Sequence, residues 1–487
     1  MQPLATLPGV RQRRRSELGL LLVALFVVSL AYVLGSLGAY DELPPHALEF
    51  IAVSALLGLA VHLANRRYAP EADPVIMPVV LLLNGLGYVM IYRLNAYSDA
   101  AANARASYQA AWTVLGVIAY IVTLAAVRRS RDLERYRYLL VTAALVLLVL
   151  PLAPYLRNSP SNVNGVRLWI HVGPVSFQPV EMAKLMLVVF FASYFVEKRE
   201  MLSLATRRVG NRLLPDLRPF GPIALAWVGS LLVILFEHDI GFSLLLFIMF
   251  IGMLWATTGR WPYVVFGLLA FVGGAYLASR LPFAKTLIDE RINSWLHAWS
   301  YPTTIGYQSV QAQLAFGRGG LAGTGLGLGD PGVIPIVWSD MIFAAFGEEL
   351  GLLGATAIVI GFLLLVGAGV RASLRARSEF SQLCAVGLTI ILGFQTFFII
   401  GGVLRLLPLT GVTLPFVSYG GSSLAANYVL VALLMRISDE GATSPGPTVG
   451  ATNRAARSRR RAAKRAERLS PAVLDPTTAP TGVASSY

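Results

Sequence analysis

The sequence predicts an all-α polytopic membrane protein with about twelve transmembrane helices, and three observations predict it. Of its 487 residues, 56% are hydrophobic and only 14% are charged, where a soluble domain carries about 25% charged residues; the mean hydropathy is +0.64. The apolar residues fall into runs long enough to cross a bilayer, about 20 residues each. Lys and Arg collect in alternate gaps between those runs. Together these exclude a water-soluble enzyme, and with it the roughly three soluble domains that length alone suggests.

The runs cover residues 18–37, 47–64, 74–92, 108–127, 138–156, 179–196, 219–236, 240–257, 261–278, 341–370, 383–403 and 418–436. The first follows the basic stretch Arg11, Arg13, Arg14 and Arg15, as a signal peptide would. It is too long and leads straight into a second span, so it reads as a retained signal anchor. Glu237-His238-Asp239 interrupts the stretch 219–257, which fits either a tight turn or a broken helix. The run 341–370 is overlong, and its start reads as a loop or half-helix.

With the N-terminus inside, the cytoplasmic gaps and N-terminus hold 21 Lys or Arg and the outer gaps hold nine, the asymmetry that orients membrane proteins. The net charge of +14 therefore reads as an anionic membrane surface rather than nucleic acid. Residues 1–17 are expected as a cytoplasmic N-terminus, 18–437 as the transmembrane domain and 438–487 as a disordered basic cytoplasmic tail. The tail cations Arg457, Arg459, Arg460, Arg461, Lys464, Arg465 and Arg468 read as touching anionic lipid. Cys384 is the only cysteine, so no internal disulfide forms.

The long outer loop 280–340 is where chemistry is expected, since loops of that length in compact proteins are usually functional or disordered. Trp295, Trp299 and Tyr301 suit a membrane interface. Its seven glycines between Gly317 and Gly329 permit tight turns but lack the Lys-Ser/Thr ending of a nucleotide-binding P-loop. A carboxylate at the bilayer centre costs on the order of 3 kcal/mol, so the acidic residues in or beside spans (Glu49, Glu181, Glu237, Asp239, Asp340, Glu348 and Glu349) draw attention. Glu181 and Lys184 stand three apart and share a helix face, either as a structural ion pair or as lining of a substrate cavity. Glu237 and Asp239 lie on the same side as Asp340; converging carboxylates there would suit a divalent cation, Mg or Mn. Asp340 precedes an apolar helix, where it reads either as an N-cap or as a half-buried general base. In Pro408–Ser423, Pro408, Gly411 and Pro415 break helix, and non-helical backbone at membrane depth needs protein or a polar cavity around it; Ser418, Tyr419, Ser422 and Ser423 offer polar groups there.

Gln178-Pro-Val-Glu-Met-Ala-Lys184, Glu237-His-Asp-Ile-Gly241, Gly306-Tyr-Gln-Ser-Val-Gln311, Gly319-Gly-Leu-Ala-Gly-Thr-Gly-Leu-Gly327, Ser339-Asp-Met-Ile-Phe-Ala-Ala-Phe-Gly-Glu-Glu-Leu-Gly351 and the 408–423 segment together resemble the SEDS family (shape, elongation, division and sporulation), which comprises the RodA and FtsW proteins. Six motifs agree in order and spacing over residues 160–437, and the run 401–411 is more similar to actinobacterial RodA than to FtsW. The resemblance implies a ten-span core, here with two added N-terminal spans. It also implies a peptidoglycan glycosyltransferase that polymerises lipid II outside the cytoplasmic membrane for cell elongation and shape, with a class B penicillin-binding protein as partner. The family's essential aspartate falls on Asp340, and its Gln-Pro-Ser-Glu…Lys motif on Gln178, Pro179, Glu181 and Lys184. Its Pro-Asp-Leu-Gly turn falls on His238, Asp239, Ile240 and Gly241. Val180, Ser339, Met341 and Ile399 replace the usual Ser, Thr, Phe and Asn.

The expected site is therefore Asp340 as catalytic base, with Arg167, Gln178, Glu181, Lys184, Glu237, Asp239, Arg291, Gln308, Gln311, Ser418, Gly420 and Ser422 binding substrate, and a divalent cation shared by Asp340 with Glu237 or Asp239. Arg291, Lys184 and Arg167 are the candidate cations for a leaving pyrophosphate. The competing readings are a lipid II flippase using alternating access, a division-type polymerase and a non-catalytic scaffold.

Overall fold

The computed structural model describes residues 8–44, 46–95, 100–152, 169–172, 175–203, 207–209, 212–214, 228, 240–278, 280 and 282–443. The described chain is helical apart from two short antiparallel hairpins. Helices α1 (Pro8–Tyr40), α2 (Ala47–Tyr68), α3 (Ile76–Leu94), α4 (Ala100–Ala126) and α5 (Arg137–Val149) come first. The hairpin β1 (Ile170–Val172) and β2 (Val175–Phe177) pairs Ile170 with Phe177. Then follow α6 (Pro179–Glu197), the short α7 (Arg199–Ser203), the hairpin β3 (Arg207–Val209) and β4 (Arg212–Leu214), α8 (Ile240–Thr258) and α9 (Trp261–Ala278). The loop between spans carries α10 (Pro282–Leu296) and α11 (Tyr307–Gly319); α12 (Ile342–Glu349), α13 (Gly351–Arg375), α14 (Glu379–Val403) and α15 (Gly421–Ala442) complete the chain.

Among the described residues nine helices are long and apolar enough to cross a membrane: α1 to α4, α6, α8, α13, α14 and α15. The protein is thus a multi-pass membrane protein. The candidate span at 219–236 lies outside the described residues. The one at 138–156 begins as α5, of 13 residues, and a 3-10 turn at Leu150–Leu152; its remainder also lies outside them. In α9 the apolar stretch is Trp261–Gly274, shorter than a full span.

Burial sorts the helices into a centre and a rim. Helices α6 and α15 are buried along most of their length, whereas at most a third of the apolar stretch of α1, α2 and α4 is buried. Apolar exposure is what a lipid-facing helix needs, because lipid satisfies it as well as protein does. Pro179 starts α6, where its missing N–H is no loss. Ser378 caps α14 by accepting from Ser381 N at 3.0 Å.

The overlong run 341–370 is two helices, broken at Leu350–Gly351. Gly351 has φ +65°, and a Cβ there would stand 2.3 Å from Gly323 N. The break leaves helix-end amides and carbonyls unpaired, and the glycine-rich segment supplies partners. Thr324 N donates to Glu348 O (3.0 Å), Gly325 N to Glu349 O (3.0 Å) and Leu352 N to Gly320 O (3.0 Å). The glycines are needed for close approach, not for mobility: at Gly323, φ +85°, a Cβ would lie 2.2 Å from Glu349 O. Gly351→Ala should therefore destabilise the protein by about 1–3 kcal/mol through forced backbone strain, read as a lowered thermal midpoint in detergent. A surface glycine such as Gly9, with no atom near its would-be Cβ, should tolerate the same change.

Candidate active site

Asp340 is the last residue but one before α12, whose N-cap is Met341 with no side-chain cap. The capping role is therefore not the one Asp340 plays. The residue is half-buried, yet its Oδ1 is shielded from solvent and has no hydrogen-bond partner. Burial pushes its carboxyl up to about 6, against the opposing pull of a backbone N–H and of the Arg291 charge. A shielded carboxylate that still titrates near neutrality is suited to taking a proton.

The turn carrying Asp340 is held from several directions. Ser418 Oγ donates to Ser339 O and accepts from Leu414 N at 2.9 Å. Tyr419 N donates to Trp338 O at 2.8 Å. Gln308, on α11, donates from Nε2 to Pro335 O at 2.9 Å, and Gln311 follows one turn later, half-buried. Arg291, on α10, donates to Leu409 O at 2.9 Å, and Trp295 Nε1 donates to Arg405 O at 3.0 Å while Arg405 returns two bonds to Trp295 O. The non-helical segment between α14 and α15 is thus tied to protein on several sides, and most of residues 412–418 are buried while Leu404 and Leu406 are exposed. Gly420 is the N-cap residue of α15, and Ser422 Oγ just inside is buried without a hydrogen-bond partner.

Glu181 and Lys184 lie deeper. Both are fully buried, paired at 2.5 Å, and Lys184 Nζ also donates to Gln395 Oε1 at 2.8 Å. Gln395 Nε2 donates in turn to Thr413 O at 2.9 Å, and Thr413 Oγ1 to Ser423 Oγ at 2.8 Å. The pair thereby ties α6 through α14 to the segment beneath Asp340. Gln178 is buried at the N-cap of α6. Arg167, Glu237 and Asp239 lie outside the described residues. Among the described residues no group of three or more His, Cys, Asp or Glu could hold a metal.

Three positions were missed by sequence reasoning. Arg105, near the start of α4, stacks 3.6 Å over the Trp338 ring, two residues from Asp340; no local pattern in the sequence links the two. Gln109, one turn further on, is fully buried with both amide atoms lacking a hydrogen-bond partner. Arg93 pairs with Glu349 at 2.5 Å and donates to Gly327 O and Gly329 O; no local pattern links an arginine on α3 to a loop more than 200 residues away.

Residues 74–442 match the family model of the FtsW, RodA and SpoVE cell cycle proteins. The chain belongs to this family. It is 41% identical over 448 residues to the peptidoglycan glycosyltransferase RodA of Mycobacterium tuberculosis, covering 91% of this chain and 94% of that one. It is 31% identical over 386 residues to a probable peptidoglycan glycosyltransferase FtsW of Geobacter metallireducens, covering 77% and 96%. The fold matches a solved chain from a peptidoglycan synthase complex that coordinates polymerization and crosslinking, with TM-score 0.61 at 23% identity, covering 77% of this chain and 99% of that one. It also matches the crystal structure of Thermus thermophilus RodA, with TM-score 0.51 at 24% identity, covering 75% and 96%. The family model begins at residue 74, so α1 and α2 lie outside it.

Removing one partner of a fully buried ion pair leaves an uncompensated charge, at a cost of about 3–5 kcal/mol. Lys184→Met should lower the thermal midpoint accordingly, and Glu181→Gln combined with Lys184→Met should recover most of the loss. A double variant as unstable as the single would show that the pair does more than neutralise itself.

Proposed function

We propose that this chain is a peptidoglycan glycosyltransferase that polymerises lipid II at the outer face of the cytoplasmic membrane, serving elongation and shape. The observation that carries the reading is Asp340: a carboxylate with one shielded, unpartnered oxygen and a carboxyl raised to about 6, within the field of Arg291, on the motif that the family shares. The N- and C-termini are cytoplasmic and the Asp340 end of the bundle faces out, which the distribution of Lys and Arg supports. A class B penicillin-binding protein crosslinks the strands alongside it.

Lipid II presents its sugar on an α-linked pyrophosphate and the polymer linkage is β, so one displacement with inversion is enough. The acceptor sugar hydroxyl attacks the anomeric carbon, Asp340 takes the hydroxyl proton, and the anomeric C–O bond breaks with its electron pair leaving on the lipid pyrophosphate. Arg291, whose charge acts on Asp340, and Arg105, stacked on Trp338, are the cations that would oppose the charge developing on that leaving group. Lys184, engaged by Glu181 and Gln395, positions the 413–423 segment. Gln308 and Ser418 hold the turn that aims Asp340. Asp340 would be the oxygen ligand of an Mg or Mn ion, with Glu237 or Asp239, which lie outside the described residues, as the expected second carboxylate; the cation would add positive charge at the pyrophosphate.

Asp340→Asn keeps the shape and removes the base, so strand synthesis from purified lipid II should fall by about 100- to 10,000-fold while the protein still inserts and melts normally. In the wild type, Asp340 is base-competent only above pH 6, so the rate should rise about tenfold per pH unit up to that point and then level off. Undiminished strands from Asp340→Asn would overturn the assignment. Vesicle translocation of lipid II without strands would instead favour the flippase. EDTA should slow the enzyme and added Mg or Mn restore it if the cation is part of the site; an unchanged rate removes it.

A further inference from the structure

A cavity of about 660 Å³ lies away from Asp340, between α1, α2, α3 and α4. It exists because α2 is anchored at one end only. The buried residues of α2 are Val61, His62, Ala64 and Asn65, all in its last two turns. There Asn65 Nδ2 donates to Glu17 Oε1 at 2.6 Å and Tyr120 OH donates to Asn65 Oδ1 at 2.5 Å. Glu17 also pairs with Arg14. Toward the Asp340 end no residue of α2 from 47 to 60 is fully buried, and the ring of Phe50 packs on Tyr32 and Tyr88 at 4.3 and 5.1 Å. The groove walls are aliphatic in the interior (Leu21, Leu25, Val28, Leu57), with His46, Glu49 and Ser107 at the end nearer Asp340.

Its size selects the kind of occupant. A membrane-spanning helix is a cylinder about 10 Å wide and about 30 Å long, well over 2,000 Å³, so a partner helix does not fit; the volume is in the range of pockets that enclose a single extended small molecule. Its position selects the source. Ser107 and Ala110 line the groove, and Arg105, on the same first turns of α4, stacks on Trp338 beside Asp340. Asn84, in the opposite wall, accepts from Thr113 Oγ1 at 3.1 Å and donates to Phe416 O at 3.2 Å, two residues before Ser418. The groove therefore shares two of its walls with the catalytic turn. We propose that it holds the polyprenyl chain of a lipid-linked substrate whose pyrophosphate lies at Arg105. The helix pair α1–α2, outside the family model, is then a substrate-binding addition to the core. The proposal rests on the glycosyltransferase reading and deepens it.

Gly58 and Ser54, four residues apart on α2, both face the groove, and a Cβ at Gly58 would meet nothing within 4 Å. Gly58→Phe and Ser54→Phe thus place a bulky apolar side chain in it. Purified full-length protein in nanodiscs should be assayed with lipid II bearing its full prenyl chain and with an analogue cut to farnesyl length. Filling the groove should raise KM for the long-chain substrate about tenfold with kcat kept, the signature of lost uniform binding, and leave the farnesyl analogue unaffected. An equal loss for both chain lengths, or none for either, overturns the proposal. A diazirine on the prenyl chain should label α2 peptides in the wild type and not in Gly58→Phe. Labelling by a diazirine phospholipid that excess lipid II does not displace would make this an ordinary lipid site, which also overturns it. If the wild type forms strands from neither substrate, the glycosyltransferase reading fails, while the photolabel still reports independently whether the groove takes a prenyl chain.

Discussion

Backbone polar groups inside a bilayer have no water to bond, so every break in a helix must be met by protein. The position of Asp340 depends on how one such break is met. At Leu350–Gly351 the chain leaves α12 and restarts as α13, and the freed carbonyls of Glu348 and Glu349 are taken by Thr324 N and Gly325 N. Glu349 turns its carboxylate inward, where Arg93 pairs with it and Gly327 N donates to it. Glu348 likewise accepts from Asp330 N and pairs with Arg318. Loop and half-helix are therefore one cross-braced unit, and Asp340 sits on the turn that joins them. Its titration depends on that bracing, because a mobile turn would let water reach the carboxyl and return it toward the ordinary carboxylate range.

The other buried charges follow the same logic. Glu181 and Lys184 are costly in isolation and tolerable as a pair with Gln395 bonded to the ammonium. The relay from Lys184 through Gln395 and Thr413 to Ser423 holds a stretch of non-helical backbone that has few backbone partners of its own. At the opposite end of the bundle, Arg436 donates to Tyr68 O, Leu124 O and Val127 O, closing the ends of α2 and α4 with one guanidinium. Together with the Glu17–Asn65–Tyr120 chain, this fastens α2 at the end where its buried residues lie. At the other end α1 packs on the glycine-rich loop, Gly38 against Leu326 and Gly327, and the groove opens beside α2.

Much of the fold was legible along the chain. The spans at 18–37, 47–64, 74–92, 108–127, 179–196, 240–257, 383–403 and 418–436 each coincide with a helix of the structure, overrunning it by at most three residues at one end, because in lipid the length of an apolar run and the helix it forms are nearly the same quantity. The overlong run at 341–370 pointed to an irregular start, and α12 is that start. Of the site, Asp340, Gln308, Arg291 and Ser418 gather around one turn. The N-cap alternative for Asp340 does not hold: Met341 takes that place, and the turn at Asp340 is held by Ser418 and Tyr419 from a distant segment.

The amino-acid order by itself determined that the chain spans a membrane many times, which way its cations bias it, and which family it resembles, because these rest on composition, run length and local motif. It did not determine whether the glycines were a hinge or a brace, whether Glu181 and Lys184 face a cavity or each other, or that Arg93 and Arg105 matter at all. Those are decided by contacts between residues far apart in the chain. A side chain's role inside a bilayer is set by the partner it finds there, and only the folded bundle brings the partners together.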